Sequence, residues 1–571
     1  MGVGEPIIVP DVLRTIALHA PTVAGSLGLV VDVRRDYGAS GSALQTTGSI
    51  AAGSDVLTIA EVGDFQDGQG IAVAGAGAGG ALLVTSIASG GGSTTLVLAE
   101  AAGTSVVGAV VSHDDTAAIQ GAVDAAAFVS VPHGIYRVSA AIALKNDVVF
   151  CGHGMGKTVL QASPNPGYPV LMVPSGVSGV AILLLTCDGG ATAAGTRGAD
   201  GVSIVNGASR VRVSDTEVTA TADNGIEADG TDITVERCWV HGCWTNGIYA
   251  IGASAASPAQ RVHVRDCLVE VNNLGGNWDG IDLDPNCVDC TVEDNVVIGN
   301  DIILYDPATP SGSSGNIVRN NRLIQSTENG IDLLGSQMDT EVVGNRIESP
   351  TGWGIVVNGP WTRMRIAGNY IISPTQEGIR LQNTTATAGA PAAITINDNV
   401  VINPSATSGG YAGIALANGA TDILVVGNRI EDTRSPVLML RSIDATGAGG
   451  NVTIARNVVT PGTTGPVIAT AANTAGNGGW NQQAIGNPGS NPQGWATTTP
   501  ALPAATGSAD AVQNENAYPV RVTMKGNAGT HITDPTADVL LPADPVEITL
   551  NPGQKIYFAT TVPTAWAWFG V

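Results

Sequence analysis

The sequence predicts an all-β chain whose middle is a solenoid of stacked coils, with a small β-domain grafted on near each end. Three observations predict it. First, an x-Gly-Ile anchor recurs at Ile226, Ile248, Ile281, Ile331, Ile355, Ile379 and Ile414, in steps of 22, 33, 50, 24, 24 and 35 residues. Second, each later anchor is followed by an alternating strand, a polar pair, an Asn and aliphatics, as in TVEDNVV (291–297), EVVGNRI (341–347) and ILVVGNRI (423–430). Third, the composition suits many tight turns between aliphatic strands. Gly supplies 75 of 571 residues, charged residues only 13%, and mean hydropathy is +0.20. A disordered chain would be charged and poor in aliphatics.

The step of 50 reads as two coils, with Asp301-Ile302 as a degenerate anchor between them. A period near 24 is that of a repeat whose single coil cannot bury its apolar face until a neighbour covers it. The recurring asparagines are Asn295, Asn321, Asn345, Asn369, Asn399, Asn428 and Asn457, and Cys267 and Cys238 take the same place upstream. Asn tolerates a left-handed turn, and its amide can bond to the Asn one rung away, so a structural role is expected. Over roughly residues 140–470 the pattern resembles the right-handed parallel β-helix of the pectate lyase superfamily, with its asparagine ladder.

From the N-terminus, residues 1–30 are apolar, with a short helix at 11–19, and could pack inside the protein or serve as a virion anchor. The β-helix is expected over 31–42 and 113–475. Between these pieces, 43–112 alternates strongly (DVLTIAEV, ALLVTSIA, TTLVLAE) and reads as an inserted small antiparallel β-domain. Asp114 or Asp115 can cap a helix that buries Ile119, Val123 and Ala126. With the strands after it, this stretch resembles the opening of the pectate-lyase-like modules of phage tailspikes, where a helix shields the first coil. GHGMGKT (152–158) imitates a phosphate loop, but Cys151 stands where the loop needs Gly, so it reads as a bend. After the repeat, 476–504 reads as a Gly/Asn/Pro/Thr linker and 505–571 as a small β-sandwich. Its NAYPVRV start and TAWAWF end are similar to C-terminal modules of phage minor tail and fibre proteins.

A net charge of -24 opposes phosphate backbones, so nucleic-acid partners are not expected. No basic-flanked apolar leader reads as a signal peptide, and no apolar run is long enough for membrane insertion. The seven cysteines have no framework spacing and fit reduced, buried thiols. Cys287-x-x-Cys290 lacks a second pair of zinc ligands, so no metal site is assigned.

The candidate site is the acidic wording NWDGIDLDPN (277–286) followed by GNDIILYD (299–306). Aligned on the anchor Ile, Glu227, Tyr249, Asp282, Ile303, Asp332, Val356 and Arg380 form one column. Asp229, Ile251, Asp284, Tyr305 and Leu334 form another. Asp279, Asp282, Asp284 and Asp301 are the candidate catalytic residues. Carboxyls about 6.5 Å apart by strand rise suit inverting glycoside hydrolysis, with one acid, one base and a water between them. Trp278, Tyr305, Asp332, Glu227 and Tyr249 are the candidate substrate-binding residues, aromatic rings stacking on sugars. The alternative is a polar, solvent-facing binding surface.

The wording also resembles the polygalacturonases. Their Asn-Thr-Asp-Gly falls on Asn277-Trp278-Asp279-Gly280 and their Gly-Asp-Asp on Gly299-Asn300-Asp301. The resemblance implies Asp279 and Asp301 as water-activating bases, but puts Asn300, which cannot donate a catalytic proton, at the general acid. A lyase would want Lys or Arg beside a carboxylated sugar, and these are few here. No cofactor is required, although Asp282, Asp284 and Asp332 could hold Ca2+. The resemblances together imply a homotrimeric phage tailspike or minor tail protein, located in the virion tail with other tail proteins. It would bind, or also depolymerise, host surface polysaccharide. The rivals are a bacterial hydrolase, lyase or epimerase acting on uronate-rich polymer, and a purely structural tail component.

Overall fold

The computed structural model describes residues 30–164, 166–195, 198–270, 272, 276, 279–307, 312–383, 389–407, 409–417, 419–463, 467–470, 482–485 and 487. Toward the C-terminus it describes 502, 507, 511–514, 520–525, 528–534, 537–541, 547–551 and 553–570. The expected segment 1–30, apart from Val30, therefore lies outside the described residues, as does Trp278. The chain divides into two units, Met1–Asp223 and Asn224–Val571.

In the first unit the alternating stretches form three parallel sheets. One runs Val30–Asp32, Phe128–Ser130, Val149–Cys151, Ser178–Leu183 and Ser209–Ser214. The second runs Ile142–Ala143, Leu171–Val173 and Val202–Ile204. The third runs Gly134–Val138, Thr158–Ala162, Thr186–Asp188 and Glu217–Thr219. Each strand pairs with the one a coil later, as stacking of incomplete coils requires. The helix Thr116–Ala125 buries Ile119, Ala122 and Val123 and packs on the strands of the first coil. Its start differs from expectation. The Asp115 side chain does not cap it but accepts the backbone N–H groups of Ser40 and Gly41, tying 31–42 to the coil that follows the insert. Asp114 takes the Thr116 N–H at 3.1 Å.

The insert is a closed antiparallel barrel. Its strands follow the order Gln45–Ile50, Val56–Ile59, Thr95–Leu98, Leu83–Ser89, Gly70–Val73 and Val106–His113, and the last pairs with the first. Closure removes the sheet edges and encloses a core of Leu57, Phe65, Ile71, Ile87, Leu96 and Val111.

The second unit, taken by itself, also forms coils in three parallel sheets. The x-Gly-Ile strands run from Ile226–Ala228 to Ile468–Thr470, and their anchors stack as one column through Ile248, Ile281, Ile302, Ile331, Ile355, Ile379, Ile414 and Ile443. Ile302 takes its place as the degenerate anchor. Each of these isoleucines is 0–2% exposed. Full burial of such a side chain contributes roughly 1.5–3 kcal/mol, realised only when the next coil covers it. Where a glycine precedes the Ile, it is needed for space. A Cβ on Gly247 would come 2.6 Å from the Gly280 carbonyl oxygen, and one on Gly378 2.8 Å from that of Gly413.

The asparagine ladder is present and buried. Each Asn Oδ1 accepts the backbone N–H and side-chain Nδ2 of the Asn one coil earlier at 2.8–3.1 Å, from Asn295 to Asn487. Cys267 joins at the top, its N–H donating to Asn295. One expectation is corrected: the ladder Asn is not left-handed. The residue before it is, namely Asp294, Asn320, Gly344, Gly368, Asp398, Gly427 and Arg456, with φ between 55 and 71°. The turn is made one residue early, which frees the Asn to face inward. The strand Gln482–Ile485 pairs with Gly450–Ala455, so the coils extend into 476–504, expected as linker.

At the C-terminus two antiparallel sheets share one core. Val520, Val522, Met524, Leu550 and Trp568 from one pack with Ile556 and Phe558 from the other, a small β-sandwich. All seven cysteines are free thiols, and no described helix is long and apolar enough to cross a membrane.

Candidate functional site

The sheet that begins each coil with x-Gly-Ile has an inward Ile, then an outward residue. Pairing builds the outward column Glu227, Tyr249, Asp282, Ile303, Asp332, Val356 and Arg380. This is the register read from the sequence. Although outward, Glu227, Tyr249, Asp282 and Asp332 are each under a tenth exposed. Tyr249 reaches Asp284 with its hydroxyl, at 2.6 Å from Oδ2. Tyr305 follows on the strand Ile302–Asp306, half-buried and paired with Leu334.

Asp279 and Asp301 sit in the turn before their strands. Asp301 stands where neighbouring coils have glycine, its carbonyl accepting the Gly280 N–H at 3.1 Å. Its carboxyl is 3% exposed and lies within hydrogen-bonding reach of Asp279. Asparagines from adjacent turns fix the rest. Asn246 accepts the Asp279 N–H at 2.8 Å and donates to Asp282 at 3.2 Å. Asn329 donates to Asp332 at 2.7 Å and accepts the Trp353 N–H at 2.9 Å.

Burial dominates the electrostatics. It pushes the Asp279 carboxyl up to about 6, against the hydrogen bond with Asp301, with the Glu328 and Asp284 charges adding to the rise. Burial likewise pushes Asp332 up to about 7, helped by Asp279 and Glu328 and opposed by Asn329. Asp282 and Asp301 are held well above the carboxylate range, first by burial and then by neighbouring aspartates. Like charges in a dry site cannot all ionise. This face therefore holds its protons more tightly than free carboxyls do, and Asp332 titrates near 7. Groups poised near 6 and 7 can exchange protons with a substrate oxygen or water.

The structure thus brings together Asp279, Asp282, Asp284, Asp301, Asp332 and Tyr249, with Glu227 next along the column and Tyr305 on the adjacent coil. Sequence reasoning missed Asn246, Asn329, Glu328 and a neighbouring polar shelf. On that shelf Trp353 Nε1 donates to Glu377 at 2.8 Å, and Arg380 lies 5.8 Å over the Trp353 ring. The Asn immediately before Gly-Ile in the coils of Asn246 and Asn329 was the available signal. Asn300, at the polygalacturonase general-acid place, is 1% exposed, and its Oδ1 accepts the Asn272 N–H at 3.1 Å. It is a rung of a second, shorter ladder that continues to Cys243.

Fold and site define a parallel β-helix protein with a cluster of buried carboxyls on one sheet face. Residues 110–178 match the family model of rhamnogalacturonase A/epimerase, pectate lyase-like, and residues 190–379 that of the periplasmic copper-binding protein NosD. No curated protein matches the chain. Among solved structures it is similar to the Azotobacter vinelandii mannuronan C-5 epimerase A-module, at 17% identity over 66% of this chain and 96% of that one, TM-score 0.46. It is also similar to the N-terminal fragment of bacteriophage phi29 gene product 12, at 15% identity over 60% and 72%, TM-score 0.41. A third is the Dettilon tailspike protein, at 13% identity over 63% and 64%, TM-score 0.36.

The residues present do not fit copper. Among the described residues no three His, Cys, Asp or Glu side chains are grouped to hold a metal ion. Cys287 and Cys290 are buried, and their thiols donate to backbone carbonyls. Nor are Asp282, Asp284 and Asp332 grouped into the Ca2+ ligand set the sequence suggested.

Proposed function

We propose that this chain is a tailspike-like protein of a phage tail that binds host surface polysaccharide along its acid-lined sheet. The observation that carries the reading is the clustering of Asp279, Asp282, Asp284, Asp301 and Asp332 on one face, fixed by Asn246 and Asn329. A purely structural coil has no use for buried carboxyls crowded against one another. The tailspike-like front end, within the stretch matching the pectate-lyase-like family model, and the tail-protein-like C-terminal wording support the phage setting. In that setting the protein works as a homotrimer beside other tail proteins.

Cleavage is a second reading, favoured by the two carboxyls poised near 6 and 7. Between those values Asp279 is largely ionised and can activate water, while Asp332 keeps its proton for the leaving oxygen. Hydrolysis would then follow a bell-shaped profile, rising past pH 6 and falling past pH 7.

The test is incubation with purified host-type surface polysaccharides, following binding, reducing ends and the ultraviolet absorbance of unsaturated sugar ends. Binding that is lost in Asp282→Asn and Asp284→Asn supports the site. Equal binding by wild type and both variants would remove it, and absence of binding to every host polysaccharide would leave the structural role. Reducing ends without unsaturated ends would identify hydrolysis.

A further inference from the structure

Three carboxyl oxygens on the acid face have no protein partner: Asp282 Oδ1, Asp301 Oδ2 and Asp332 Oδ1. Their residues are 6, 3 and 6% exposed, so bulk water does not readily serve them. The charge of one neighbour, Asp279, acts on all three carboxyls. A buried polar oxygen left without a donor is costly, so the face is built to receive donors from a ligand.

The charges around it are of one sign. The leading charges acting on Asp279, Asp282, Asp301 and Asp332 come from Asp279, Asp284, Asp332 and Glu328, all of them acidic. Arg380, the first cation along the column, is two coils beyond Asp332. It is already engaged by Glu377 and Gln382.

We infer that this face seats an uncharged sugar through its hydroxyl groups and excludes uronate residues. A sugar hydroxyl can donate to an unpartnered carboxyl oxygen and accept from a protonated one, so neutral rings satisfy the face in both directions. A uronate brings an acceptor-only group and another negative charge into a dry cluster that already cannot ionise fully. This inference rests on the glycan-binding reading of the same face and narrows its substrate class.

The experiment is an array of neutral and uronate-bearing oligosaccharides, each acidic glycan printed beside its carboxyl-reduced form. It is probed with wild type and with the double variant Asp279→Asn/Asp332→Asn, whose folding is verified by circular dichroism. Wild type is expected to bind neutral glycans and to prefer each reduced form over its uronate parent by about tenfold or more. The double variant, with two fewer ionisable groups, is expected to narrow that preference. A uronate glycan bound by wild type as tightly as its reduced form overturns the inference and leaves glycan binding intact. So does a preference unchanged in the folded double variant. Wild type that binds no glycan on the array overturns both the inference and the reading beneath it.

Discussion

Asp301 shows how a single residue departs from the repeat. Its neighbours in the column are Gly280 and Gly330, where close approach between coils favours no side chain, yet here a carboxyl is buried and its proton is held more tightly than usual. Violations of a local rule of this kind concentrate at functional sites. Raised carboxyl values also make a stability statement. A folded state that keeps protons the unfolded chain releases is favoured below the ordinary carboxyl value near 4, and loses that advantage as pH climbs through 6 and 7. Thermal stability of the wild type is thus expected to fall between pH 4 and 8. Asp332→Asn, which retains an acceptor for Asn329, should flatten that slope and raise stability at pH 8 by up to about 4 kcal/mol. Calorimetry across this range checks it, and an unchanged slope would count against a proton held at Asp332. The opposite exchange, Asn300→Asp, puts another carboxyl at a ladder rung and is expected to cost on the order of 1–3 kcal/mol without creating an acid catalyst. Urea unfolding and the reducing-end assay read the two effects. The aspartates were legible because they interrupt an aliphatic pattern. Asn246, Asn329 and Glu328 were not, because their relation to the aspartates runs across coils of unequal length.

At the scale of one coil, three residues do most of the specifying: the Ile, the Gly before it and the ladder Asn. Asn369→Ala removes the acceptor of two Asn345 donors and the donor to the Val342 carbonyl, all in a buried stack. Its expected cost is on the order of 2–5 kcal/mol, seen as a lowered urea midpoint. A change below about 0.5 kcal/mol would mean that water replaces the rung. The ladder was readable because one residue type recurs at one place. The left-handed turn was misplaced by one residue because the position that adopts it is occupied in turn by Asp, Asn, Gly and Arg, a set with no single-letter signature. Only the coil geometry, in which the Asn must point inward, tells the two positions apart.

Across the whole chain, the sequence announced the inserted β-domain through its alternation. Its closure was hidden, because it depends on Gln45–Ile50 meeting Val106–His113 more than fifty residues later. The continuation of the coils through Gln482–Ile485 was hidden by the Gly- and Asn-rich wording around it. The barrel has its own closed hydrogen bonding and its own core, so a fragment spanning 43–113 is expected to unfold cooperatively in isolation, measurable by circular dichroism during heating. A broad, non-cooperative melt would show that it borrows stability from the coils. The pairing of Gln45 with Ser112 also brings the two points where the insert leaves and rejoins the main path to within about 5 Å. To the rest of the chain, then, some seventy residues weigh no more than a tight loop. Genetic exchange could trade that cassette for any other whose ends lie together, and a reporter or affinity module spliced between Ser42 and Asp114 should leave the threading of the first coils undisturbed.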